Sequence, residues 1–293
     1  MKGYTDKKIL PYLLILPSAI ILVLFLYWPA IQAFLLSLYR SAPFGGRKIF
    51  NGLQNYVKIF NDPAYLRSVW LTALYVVLTI VIGLSISLFL SVLANQKLRG
   101  AKIYRVIFFL PYAISPAVAG SLWVFLFNPV AGHINYILNL LFNIQPPWLS
   151  DGTLAFIAVV ITTIWKNLGF NVIFFLAGLQ SIPDTIYEAA RIDGASPIDS
   201  FWRITIPLLS PTTFYLVIMN IIFTVFQSFG IIDIMTEGGP AGATNMLIYK
   251  LYRDSFINFK HGFAASQTVV LLAMVIGVTV LHFKYGSRNV HYQ

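Results

Sequence analysis

The 293-residue sequence contains no cysteine, which excludes disulfides and thiolate metal sites and leaves the redox compartment unspecified. Charge is scarce: 10% of residues carry it, and only ten are acidic. No GxxxxGK[ST] run is present, so the chain lacks the phosphate-cradling loop of an ATPase. A GxSxG nucleophile elbow and a zinc-ligand spacing are also missing. The four histidines, His133, His261, His282 and His291, are scattered, with no HExxH pair. The acids fall at predicted helix ends or in loops, with no acid-base carboxylate pair. These absences predict a non-enzymatic protein without cofactor or metal.

What is abundant is apolar. Hydrophobic residues make up 58% of the chain and the mean hydropathy is +0.77. That is far too apolar for an ordinary soluble domain and reads as a polytopic protein of the lipid bilayer. The net charge of +10 does not point to nucleic acid, because the bases flank apolar runs instead of forming one patch.

The chain is free of charge from Ile9 to Tyr39, long enough for a tilted spanning helix. Its bulky residues and Pro29 replace a small-residue cleavage site, so it reads as an uncleaved first helix. Residues 40–67 form a polar connection with Pro43, Gly45, Gly46, Asn51 and Gly52. A second span covers Ser68 to Gln96 and is followed by Lys97, Arg99, Lys102 and Arg105 with no acid among them. That cluster belongs on the cytoplasmic side. The third span, roughly 106 to 127, contains Pro111 and Pro116, which remove backbone donors and kink a helix unless neighbours compensate. From Asn128 to Thr153 there is no Lys or Arg, as expected of an external connection. The fourth (about 154–180), fifth (about 208–232) and sixth (about 264–283) spans complete an all-α, six-helix membrane domain over 1–293 with both termini inside. The basic first loop argues against that orientation, but more weakly than the cluster argues for it.

Between the fourth and fifth spans lies a stretch of charge and turn chemistry. Ser181, Pro183 and Asp184 suit a helix's first turn, and Gly194 offers a left-handed stop near Asp193. Ser196-Pro197-Ile198-Asp199 reads as a second start, with Ser as N-cap, Pro at the first helical position and an acid three residues after the cap. Two short helices joined by a turn are predicted. The second limb, FWRITI, is apolar enough to lie along the membrane surface before Pro207 opens the fifth span.

This stretch carries a resemblance. Glu188-Ala189-Ala190, three residues, Gly194, nine residues, Ile204, one residue, then Ile206-Pro207 is similar to the EAA signature of bacterial ABC importer permeases, with Ile206 where the family commonly has leucine. LPYLLILP and Tyr27-Trp28-Pro29, the run at 110–129, Leu179 to Pro183, EGGPAGAT at 237–244 and LIYKLYRDSF at 247–256 resemble the sugar-type group. Trp165-Lys166-Asn167 and Leu247 to Phe256 narrow the likeness to the first permease subunit of glycerol 3-phosphate importers. The resemblance implies a type I importer permease in the bacterial inner membrane, paired with a second permease subunit, two ATP-binding subunits and an extracytoplasmic substrate-binding protein. It also implies that residues 184–206 form the coupling loop to the ATPase, with Glu188, Ala189, Ala190, Asp193, Gly194 and Ala195 at the contact. Delivery of substrate would bring the binding protein to the 237–240 turn, although turn residues alone predict only a loop there.

Lys166 falls near the middle of the fourth span, where an ammonium costs about 2.5–3.5 kcal/mol and has to face a polar cavity or a partner. It suits either an anionic substrate such as a phosphate ester or a polar contact with the partner subunit. Asn167 and Asn171 follow it, and Asn220, Thr224, Gln227 and Ser228 recur at helical spacing in the fifth span. Lys166, Asn167, Asn171, Thr224, Gln227 and Ser228 are the candidate substrate-binding set; packing between helices is the competing role. Gly169 permits a close backbone approach. The expected cargo is glycerol 3-phosphate or a glycerophosphodiester, the alternative a neutral sugar or oligosaccharide. A stand-alone secondary transporter is more remote, since no span holds an acid to relay protons.

Overall fold

The computed structural model describes residues 10–41, 48–95 and 101–286. Lys97 and Arg99 of the basic cluster, the turn residues Pro43, Gly45 and Gly46, and His291 lie outside the described residues. The helices are α1 (Pro11–Ser37), α2 (Gln54–Asn61), α3 (Pro63–Ala94), α4 (Ala101–Ala113) and α5 (Pro116–Leu126). After α6 (His133–Phe142) come α7 (Gly152–Ser181), α8 (Asp184–Ile192), α9 (Pro197–Leu208) and α10 (Ser210–Phe226). The chain continues with α11 (Phe229–Met235), α12 (Leu247–Tyr252) and α13 (His261–Gly286). A short antiparallel hairpin, β1 (Tyr39–Ser41) and β2 (Lys48–Phe50), pairs Tyr39 with Phe50.

Among the described residues four helices are long and apolar enough to cross a membrane: α1, α3, α7 and α13. The number rises to six if each of two bent pairs counts as one span. The third predicted span is thus not one helix. Its two halves meet at 106°, because Ser115 caps α5 by accepting a hydrogen bond from Val118 N–H and Pro116 occupies the first turn. The fifth predicted span also differs. Pro207 lies inside α9, past a π-helical turn at Phe201–Thr205, and the 62° bend comes at Leu209. At its far end α10 stops at Phe226, and α11 begins after Gln227 and Ser228. The predicted loop from 128 to 153 contains α6, which ends on a left-handed Asn143.

The chain forms two compact units, 1–63 with 251–273 and 64–250 with 274–293. In the first, Asn55 Nδ2 donates to the Ser37 and Tyr39 carbonyls (2.7 and 2.9 Å), and the Tyr56 and Ser37 hydroxyls meet at 2.6 Å. Asp254 is buried there, accepting from Gln267 Nε2 at 2.7 Å and Asn258 Nδ2 at 3.0 Å. The apolar side chains of α1 are exposed along its whole length, a surface suited to lipid or to another subunit.

In the second unit α7 is the central element. Asp151 caps it, accepting from the Thr153 and Leu154 N–H groups at 2.9 Å each. It ends before Pro183, as the residue preceding a proline disfavours helix. Along one face of α3 the buried residues are Ser68, Thr72, Tyr75, Thr79, Gly83, Ser87 and Ser91, spaced three and four apart. Ser91 Oγ donates to the Val172 carbonyl at 3.1 Å and the Tyr75 and Thr163 hydroxyls lie 2.6 Å apart, so small polar groups join α3 to α7.

Candidate functional site

Lys166 projects from the middle of α7 and is 5% exposed. Among the described residues no carboxylate lies within ion-pair distance of it. Its Nζ stands 5.2 Å from the centre of the Tyr112 ring, within cation-π range. Asn167 is buried beside it. Gly169 brings α4 against this level of α7: a Cβ there would come within 2.1 Å of the Phe108 carbonyl oxygen, so no side chain fits.

The predicted polar set divides. Asn171 and Asn220 are both 1% exposed and exchange amide hydrogen bonds across α7 and α10, at 3.2 and 2.7 Å. Asn220 Nδ2 also donates to the Leu216 carbonyl at 2.8 Å. That pair is satisfied within the chain and packs the two helices. Thr224 lies one turn further along α10 with its hydroxyl buried and unpartnered among the described residues. Ser228 is buried in the turn after α10, with its hydroxyl against that of Tyr75. Gln227, in the same turn, is exposed. Lys166, Asn167 and Thr224 therefore remain the buried members without a described packing contact.

Tyr112 is the residue that sequence reasoning missed. Its ring stacks on Phe170 (5.2 Å, 28°) and meets Phe109 at 5.5 Å and Phe223 at 6.3 Å. An aromatic on an apolar helix gives no local signal.

The second candidate region is the connection between α7 and α10. At the end of α8, Gly194 adopts φ +82°, Ala195 N–H bonds back to the Ala190 carbonyl (2.9 Å) and Gly194 N–H to Arg191 (3.1 Å). These are the two bonds of a Schellman stop, as the left-handed glycine predicted. Ser196 Oγ accepts from Asp199 N–H at 3.1 Å and Pro197 opens α9, again as predicted. The start of α8 differs: Pro183 occupies the cap without a side-chain bond, and Ser181 belongs to α7, donating to the Gly178 carbonyl at 2.8 Å.

Glu188, Ala189, Asp193 and Gly194 are exposed, while Ala190 and Ala195 are half-buried. Two large apolar side chains accompany them, Ile192 and Ile198, 86% and 72% exposed. Apolar groups presented on a polar turn suit contact with another protein. The loop is fastened from behind: the Tyr187 and Thr205 hydroxyls meet at 3.0 Å, and a cavity of about 280 Å³ lined by Asn95, Tyr187, Arg191 and Ser200 lies between the limbs. Ile186, Tyr187 and Leu208 pack on a buried cluster of Leu84, Phe175, Leu179, Ile182, Leu209 and Leu216. The 237–244 turn is also ordered, with Thr244 Oγ1 2.7 Å from Thr236 Oγ1 and donating to the Gly239 carbonyl.

Comparison with known proteins matches residues 83–286 to the family described as binding-protein-dependent transport system inner membrane component. The sn-glycerol-3-phosphate transport system permease protein UgpA of Agrobacterium fabrum is 44% identical over 286 residues, covering 98% of this chain and 97% of that protein. UgpA of Yersinia pestis is 43% identical over 284 residues, covering 97% and 96%. Among solved structures, a bacterial ABC transporter involved in the import of the acidic polysaccharide alginate has the same fold, with a TM-score of 0.82 over 95% of each chain at 23% identity. With a family model matched over most of its length and relatives aligned nearly end to end, the chain belongs to the binding-protein-dependent transport system inner membrane components.

Proposed function

We propose that this chain is one permease subunit of a binding-protein-dependent ABC importer and forms half of the pathway for glycerol 3-phosphate or a glycerophosphodiester. The observation that carries the substrate is the 43–44% identity, over nearly the whole chain, to permeases named for sn-glycerol-3-phosphate transport. A buried lysine without a carboxylate partner among the described residues supports an anionic cargo. The chain itself is non-catalytic; ATP is hydrolysed by separate subunits.

The proposed assembly pairs it with a second permease subunit, two ATP-binding subunits and an extracytoplasmic substrate-binding protein. Residues 1–293 act as a single permease domain of type I architecture with six spans, each bent pair counting once, and both termini cytoplasmic. Lys166, Asn167 and Thr224 contact the cargo, with Asn171, Gln227 and Ser228 framing the same region. Glu188, Ala189, Ala190, Asp193, Gly194 and Ala195, with exposed Ile192 and Ile198, dock on an ATP-binding subunit.

Uptake into cells or vesicles carrying the assembled importer tests this. Labelled glycerol 3-phosphate enters, a neutral oligosaccharide does not compete, and Lys166→Ala weakens uptake sharply, through a raised KM, while the complex still assembles. Uptake of neutral sugars alone overturns the substrate; full uptake by Lys166→Ala removes the lysine from the site.

A further inference from the structure

We infer that Tyr112 is a positioning residue for the substrate cation: its ring holds the buried Lys166 ammonium in place without neutralising it. This rests on the reading of Lys166 as a substrate contact. A carboxylate partner would fix the ammonium equally well, but it would compete with an incoming phosphate for the same charge. A π face attracts the cation while leaving its N–H donors free. The observed arrangement is of that second kind, with Nζ 5.2 Å from the ring centre and no carboxylate at ion-pair distance among the described residues.

Three features make the ring a fixed support. Gly169 lets the α4 backbone approach so closely that Tyr112 reaches across both Lys166 and Phe170, which are one turn apart on α7. Phe109, Phe170 and Phe223 surround the ring, from α4, α7 and α10. Tyr112 also sits next to the last residue of α4, directly before the 106° break, and follows Pro111, which supplies no backbone donor. The ring therefore belongs to a half-helix whose end is set by the break.

The test is a kinetic comparison on the complete importer in proteoliposomes, with glycerol 3-phosphate as the probe. Tyr112→Leu raises the apparent KM about tenfold with little change in maximal rate, in line with loss of a desolvated cation-π contact. Tyr112→Phe keeps the original KM, since the ring suffices. In a Lys166→Gln background, which itself raises KM, Tyr112→Leu adds nothing. If Lys166→Gln raises KM and Tyr112→Leu does not, the inference fails and the substrate reading stands. If Lys166→Gln leaves KM unchanged, the reading of Lys166 fails and the inference with it. Should Tyr112→Leu not assemble, fluorinated tyrosines at 112 decide: KM rising stepwise with each fluorine supports the inference, and a flat series overturns it.

Discussion

Asn171 and Asn220 show how a single pair of amides can be worth more as a clasp than as a ligand. Each is buried and each completes the other. Removing one side chain strands the other in an apolar setting, at a cost of about 1–3 kcal/mol, whereas removing both strands nothing. Asn220→Ala should therefore lower the thermal midpoint of the detergent-solubilised complex, and Asn171→Ala with Asn220→Ala together should destabilise it by less than the sum of the two. Additive losses in such a cycle would mean that the pair is not coupled. Spacing within each helix placed both asparagines on polar faces, and Asn171 among the candidates, but their pairing spans 49 positions of sequence, which no local pattern encodes.

The loop formed by α8 and α9 draws its shape from backbone chemistry more than from contacts. A Cβ at Gly194 would meet nothing of this chain within 4 Å, so within the chain the φ of +82° is the constraint. A β-branched residue in that conformation costs about 1–2 kcal/mol, and asparagine less. Gly194→Val should reduce stimulation of the ATPase and co-purification of the ATP-binding subunit while the chain stays inserted, and Gly194→Asn should be milder. Equal effects of the two would show that space, not conformation, matters at 194. This element was the most legible part of the chain, because Gly194, Ser196 and Pro197 act on their own turn. The helix breaks were less so. Pro116 marked a kink, but its size depends on Ser115 and on the packing of α5 against α11, where a Cβ at Gly120 would stand 3.2 Å from Ile234. The interruption at Gln227 and Ser228 carries no proline or glycine at all, so nothing in the sequence announced it.

At the scale of the whole molecule, apolar composition and family place the chain across a membrane several times, and site-directed labelling reads its orientation. The lack of cysteine makes the wild-type chain its own labelling background. In membranes stripped of the ATP-binding subunits, a cysteine placed at exposed Ile192 should react with an impermeant maleimide only when the cytoplasmic face is accessible, and one at exposed Val130 only from the opposite face. Reaction of both from one side would overturn the proposed arrangement of loops.

The amide clasp also has a mechanical meaning. The 30-residue α7 is about 45 Å long, and its Asn171 level is tied to α10. Ser181, at the loop end of α7, stands ten residues away on one side; Lys166 stands five residues away on the other. With the clasp as fulcrum, the arms are about 15 and 7.5 Å. In the proposed importer a sideways shift of the loop would then arrive at the lysine reversed in direction and halved in size, a geared stroke small enough for an ammonium to slide across an aromatic face without leaving it.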